Sequence, residues 1–307
     1  MRFARCMSAL AVSLVTACGG SASSEDAGGN DASSGSDAGV VVRGPTRLAL
    51  EGDPNGLFWD ESDGRLLVAD DNGNRILTWT DAGGFTLVAD LPAVGGSGAG
   101  LGQVVRMGDG TLVVTRFGFG TAGDVVYLRE GESPQIVPGL DVERRRIGLT
   151  VAPDGALFDS WFVRVASGDR VGAVGALGLD GTEPELITGL VKPVGVLATD
   201  ADLYIADQDL GQILRAPRAT PTELEVVAEV ESPDLIAFGS AGAIFTGTVG
   251  GQVVRVDAAG AVSIVAGGFQ QVRGVAFDPA GRRLFVADHD PDEADGVEHA
   301  IHIVPVD

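Results

Sequence analysis

Along this chain short apolar runs, four to eight residues long and rich in Val, Ile and Leu, alternate with clusters of Asp, Gly and Pro. GLFW, GQVV, GLTV, GVLA, DLIAF and GVAF each meet a tight polar turn, as in ESDG, MGDG, APDG and DPAG. A second run follows each turn: RLLVAD, TLVVTR, ALFDSW, DLYIAD, AIFTGT or RLFVAD. Runs of this length and composition, bounded by turn residues, predict β-strands. After a variable loop come third strands such as NRILTWT, DVVYLRE and GQVVRVD, then fourth strands at FTLVADL, PQIVPGL, PELITGL, ELEVVAE and VSIVAGG. No segment carries the period of a long amphipathic helix, so the expected class is all-β.

The strand pattern repeats. Residues 55–70 and 273–288 match at seven of sixteen positions without a gap, and weaker copies lie between them. Aligning the residue equivalent to Asp70 gives Arg116, Trp161, Asp207, Thr248 and Asp288, spaced 46, 45, 46, 41 and 40 residues apart. A period of this length marks a propeller or solenoid. Six units fill residues 43–307, but the last lacks a fourth strand, while TRLALEG at 46–52 stands unpaired before the first. An open sheet edge invites pairing with other chains, and closure removes it. The sequence therefore predicts a six-bladed β-propeller in which the N-terminal strand completes the last blade, leaving the first and last units as neighbours.

Composition agrees with a large folded domain: 45% of 307 residues are apolar and 46 are glycine. The N-terminal stretch is different. Arg2 and Arg5 precede an apolar run from Met7 to Ala17, too short for a bilayer span of about 20 residues and suited to a signal peptide at 1–17. Val15-Thr16-Ala17-Cys18 resembles the bacterial lipobox, which implies lipidation of Cys18; an ordinary secreted protein cut nearby is the alternative. Residues 18–42, dominated by Gly, Ser, Ala and Asp, are expected to form a flexible tether about 27 Å in root-mean-square reach. These features predict a monomeric protein of the bacterial cell envelope, held to a membrane through Cys18, with the outer membrane favoured by Gly19. Cys6 leaves with the signal, so no disulfide or thiolate metal site remains. Loss of Arg2 and Arg5 takes the formal charge from −22 to −24, with Lys192 the sole lysine. Such a surface repels phosphate backbones, which excludes nucleic acid as an expected partner.

PNGLFWDESDGRLLVADDNGNRI, residues 54–76, resembles the NHL-repeat propellers and the senescence marker protein and gluconolactonase group. The resemblance implies a divalent cation, calcium or another, held by Asn55 and by Asp234 of the Ser232-Pro233-Asp234 phrase, residue types that suit a hard ion. It departs at the expected glutamate, which has no clean counterpart, and in the spacing of the two ligands. Leu101 and Val194 fall at the equivalent channel positions of blades two and four. Asn55 and Asp234 can equally satisfy backbone amides at strand starts.

Antiparallel pairing puts the start of each first strand and the end of each second on one face. That face gathers Asp70 and Asp288 as candidate catalytic bases, and Arg116, Arg146, Arg273, Trp161 and Asp207 as candidate ligand contacts. Arg146 and Arg273 would favour a carboxylate or other anion, or form an internal salt bridge with Asp234. The acidic loop 288–299 holds His289 and His299 at its ends, and its Asp290, Asp292, Asp295 and Gly296 resemble a calcium loop with the wrong spacing for an EF-hand; His302 is expected to pack within a strand. Gly118 to Gly123 matches a dinucleotide fingerprint but continues as a strand, and Ser97 lacks a nucleophile elbow. Two functions follow: a binding or scaffold module working through the loop-rich face, or a metal-dependent hydrolase of lactones or related esters.

Overall fold

The structure, a computed structural model, describes residues 45–94, 100–292 and 298–306. The expected signal peptide and tether, with Cys18, lie outside the described residues, as do Ser97, Asp295 and Gly296. Six four-stranded antiparallel sheets are present, and among the described residues there is no α-helix. Blade one runs Pro54–Asp60, Arg65–Asp70, Arg75–Thr80 and Gly84–Asp90 from inside outwards. Blades two to five repeat that order, and blade six comprises Gln271–Asp278, Arg283–His289, Ala300–Pro305 and, outermost, Thr46–Ala49. The last pairing is antiparallel, with Thr46 opposite Ile303 and Ala49 opposite Ala300. The N-terminal strand thus closes the ring as expected.

The apolar residues of the strands form six clusters. At the closing seam Leu57, Leu66, Trp79, Ala276, Phe285 and Ile301 share one cluster, with Leu48 of the closing strand packed against it. Phe285 stacks on Trp59 at 5.5 Å and meets Trp79 edge-on at 5.4 Å, the offset and T-shaped arrangements that aromatic quadrupoles favour. Blade two is the thinnest: its expected outer strand at 134–140 shrinks to Gln135–Ile136, because Pro134 and Pro138 cannot donate to a ladder.

Every innermost strand carries an irregularity at the same place. Pro54 faces Asp70, yet the next pair is Leu57 with Val68. The same slip follows Leu101, Arg146, Pro193, Pro233 and Val272. A bulge re-aims the side chain beside it, and here the residue directly after each pair comes to the channel mouth: Asn55, Gly102, Ile147, Val194, Asp234 and Arg273. This corrects the sequence alignment in two blades. Gly102, not Leu101, takes the channel position of blade two, and Ile147, not Arg146, that of blade three; a one-residue slip sends a side chain to the other face.

Glycine follows the channel residue in four blades because neighbouring backbones nearly touch there. A Cβ on Gly56 would lie 2.3 Å from the Gly102 carbonyl oxygen, and one on Gly274 only 2.1 Å from that of Asn55. The Asn-Gly phrase near the start of the domain is thus a statement about blade spacing.

Candidate functional site at the channel mouth

On the face where the bulges open, a cavity of about 190 Å³ is lined by Asn55, Lys192, Gln208, Asp234, Gln271 and Arg273, with Phe117, Phe119 and Phe162 on its wall. The structure brings together three of the residues singled out in the sequence, Asn55, Asp234 and Arg273. Lys192 and the three phenylalanines were missed. Lys192 is the only lysine of the chain and sits directly before the innermost strand of blade four, the one signal that would have drawn attention to it.

Asp234 is buried, accepting a hydrogen bond from Leu235 N–H at 2.9 Å and one from the Gln208 side chain at 3.2 Å. Burial pushes its carboxyl up to about 6, against the opposing pull of Arg273 and Lys192 and of those two donors. Lys192 donates to Gln208 Oε1; burial lowers its pKa, with Asp234 pulling the other way. Asn55 gives its amide N–H to the Leu101 carbonyl at 2.6 Å. The Nε of Arg273 is buried without a hydrogen-bond partner among the described residues. Asp71, which accepts from Leu101 N–H at 3.0 Å, is pushed up chiefly by burial and drawn down in part by Arg273.

The mouth is cationic although the chain is strongly acidic. Arg145, Arg170 and Lys192 stand 5.8, 5.8 and 5.9 Å from the centroid of the Phe162 ring, within cation–π range. Burial lowers the pKa of Arg145, and repulsion from Arg164 and Arg170 adds to the effect. Asp209 pairs with Arg170, and Arg145 donates to the Phe119 carbonyl at 2.7 Å. At the opposite end of the channel a second cavity is walled mainly by apolar side chains, among them Leu57, Leu149, Ile236 and Val275, with Glu61, Gln103 and Thr150 also lining it.

The metal implied by the resemblance does not fit Asn55 and Asp234. One amide oxygen and one carboxylate are the oxygen donors of the ring; its remaining members are Gly102, Ile147, Val194 and Arg273. Calcium takes six to eight oxygen ligands, and a cation here would stand beside Arg273 and Lys192.

The other candidate residues are committed to holding blades together. Asp70 is fully buried, accepts from Asp53 N–H at 2.9 Å and pairs with Arg75 at 2.6 Å. Asp207 accepts from the backbone of Val191 and Lys192 at 2.7 and 3.0 Å. Asp288 accepts from Gln270 N–H at 2.8 Å and lies 3.2 Å from His302 Nε2. The aspartate that closes the repeated Val-Ala-Asp phrase is therefore a clamp between the end of one strand and the start of the blade, and neither Asp70 nor Asp288 lines the cavity. Arg116 replaces that clamp in blade two with a two-pronged pair to Asp124, at 2.6 and 3.0 Å. Arg146 holds Glu183 at 3.0 and 2.9 Å; it forms the internal salt bridge anticipated as one option, with a different carboxylate from Asp234. Trp161 lies beneath the guanidinium of Arg144, 3.8 Å from its ring centroid.

Among solved structures, the chain superposes on a luciferin-regenerating enzyme with a TM-score of 0.67 at 15% identity, covering 85% of this chain and 95% of that one. A gluconolactonase from Xanthomonas campestris matches with a TM-score of 0.65 at 20% identity over 83% and 86% of the two chains. Regucalcin from Agrobacterium tumefaciens, a calcium-binding protein, matches with a TM-score of 0.65 at 16% identity over 85% and 93%. The chain shares their propeller fold. No protein-family model matches it, and no curated protein matches it by sequence. At these identities the likeness speaks for architecture, and activity rests on the site itself.

Proposed function

We propose that this protein is a lipid-anchored propeller of the bacterial cell envelope that binds a small organic anion at its channel mouth. The observation that carries the reading is the unpartnered, buried Nε of Arg273 in a cavity that also holds Lys192. A buried guanidinium nitrogen without a partner is costly, and a carboxylate supplies the charge-assisted bonds it lacks. Phe117, Phe119 and Phe162 suit an apolar or aromatic body on that carboxylate, and the cavity volume limits it to a small molecule. The negative exterior does not oppose capture, because at the mouth the cations Arg145, Arg170, Lys192 and Arg273 outnumber the carboxylates Asp71, Asp209 and Asp234. Calorimetric titration of the protein with phenylacetate and with its neutral analogue phenylacetamide tests the reading: the acid should bind and the amide should bind far more weakly.

A second reading, hydrolysis of a lactone or related ester, is favoured by the carboxyl of Asp234. A group titrating near 6 can take a proton from water at neutral pH, and Lys192 and Arg273 would stabilise a developing oxyanion. Turnover of a lactone panel, abolished in Asp234→Asn, would support this reading over simple binding.

A further inference from the structure

Outside the channel, at the seam where the ring closes, three side chains from distant parts of the chain meet. Asp53 lies just before the innermost strand of blade one, His289 ends the second strand of blade six, and His299 directly precedes that blade's third strand. His289 Nδ1 is 2.8 Å and His299 Nδ1 3.5 Å from the same oxygen, Asp53 Oδ1. One ligand atom from each of the three residues lies within 4.8 Å of the others, and the two imidazoles stack at 5.0 Å with 17° between their planes.

We propose that Asp53, His289 and His299 form a binding site for one divalent transition-metal ion, zinc being the best match, that staples blade one to blade six. The donor set argues for it: a carboxylate and two imidazoles, brought from three separate segments, converge on one point. His299 Nδ1 accepts the backbone N–H of Asp290 at 3.0 Å, and an ion bound through that nitrogen would take the place of this hydrogen bond. Two imidazoles and one carboxylate form a borderline N/O donor set, suited to zinc with a fourth position left open to water. The surroundings are also acidic: Asp290 is buried with its Oδ2 unpartnered among the described residues, and Glu51 and Glu298 line a cavity of about 620 Å³ that reaches His299 from solvent. That cavity gives an ion a way in. The side chains of Asp53, His289 and His299 are 11%, 14% and 11% exposed, enough for access and little enough for a defined geometry. Asp53 is itself held in place, its N–H by Asp70 and its carbonyl by Asp71 N–H at 2.8 Å.

The test is titration of the full chain, stripped with chelator, with zinc alone, read by calorimetry and by thermal unfolding; cobalt absorption in the visible gives a second signature. One equivalent of zinc should bind, the melting temperature should rise with zinc concentration, and cobalt should give the bands of a low-coordinate N/O site. His299→Gln and Asp53→Asn should each weaken binding at least tenfold, while Asp234→Asn should leave it unchanged. Absence of stoichiometric binding by the folded protein would overturn the proposal and leave a histidine–carboxylate hydrogen-bond cluster. Binding that survives His289→Ala combined with His299→Gln, or that disappears in Asp234→Asn, would place the ion elsewhere and overturn it as well.

Discussion

Gly274, in the last blade, rests against the backbone carbonyl of Asn55, in the first. A Cβ at Gly274 would come 2.1 Å from that oxygen, so the ring closes only because this position has no side chain. The same contact fixes where Asn55 stands at the channel mouth. Gly274→Ala should therefore destabilise the domain by about 1–3 kcal/mol, the usual cost of overpacking, and lower the melting temperature in a calorimetric scan. An unchanged transition would mean that the blades can move apart at no cost.

The closing strand carries a second expectation. Thr46–Ala49 pairs along the outer edge of Ala300–Pro305, and its removal would expose that edge and the apolar cluster under Leu48. A chain beginning at residue 52 should unfold at lower urea concentration than one beginning at residue 43, and it should self-associate in sedimentation experiments, as unpaired edges do.

Arg146 is the most heavily bonded buried cation in the described residues, and it sits among carboxylates. Glu183 accepts two of its hydrogen bonds, while Asp159 lies 3.4 Å from its Nε. Burial and the neighbouring Glu183 push Asp159 well above the ordinary carboxylate range. Arg146→Met would strip Glu183 of two charge-assisted hydrogen bonds, leaving it Arg144 at 2.6 Å, and would remove the cation beside Asp159; breaking a buried pair from one side costs about 3–5 kcal/mol, an upper bound here because Arg144 stays. Denaturant unfolding should show a loss of up to that size; replacing Glu183 by Gln at the same time should recover part of it.

Asp234 gives a pH dependence whose sign follows from its burial. Its carboxyl is raised from 3.8 to about 6 on folding, so between those values the unfolded chain has released a proton that the folded chain keeps. Its contribution to stability is therefore full below pH 3.8, declines as pH rises to 6 and is lost above, by on the order of 3 kcal/mol in all. The advantage of Asp234→Asn over the natural protein should grow from pH 4 to pH 7 in urea titrations. A constant difference would show that the carboxyl is not raised.

The architecture was legible because its signals are local and repeated. Each strand is bounded by its own turn residues, the Val-Ala-Asp clamp recurs, and the missing fourth strand of the last unit matches the unpaired one at 46–49. The site was legible only where the bulge left the alignment intact, as at Asn55, Asp234 and Arg273. In blade three the bulge moved Ile147 into the channel and carried Arg146 sideways to Glu183, which strand periodicity alone does not reveal. The meeting of Asp53 with His289 spans 236 residues and follows from ring closure, so no spacing motif announces it. Lys192 and Phe162 reach the mouth from the ends of strands in different blades, where the sequence pattern is least regular.

In the proposed function the charge of Arg273, beside Lys192, holds a small organic anion at the channel mouth. The decisive comparison is the affinity of phenylacetate for the natural protein and for Arg273→Met, measured by calorimetry at pH 5 and pH 7 with folding confirmed by circular dichroism. Saturable binding with one equivalent, tighter at pH 5 where Asp234 is neutral and weakened at least tenfold by the substitution, is the predicted result. No saturable binding by the natural protein, or an affinity untouched by Arg273→Met, would contradict it.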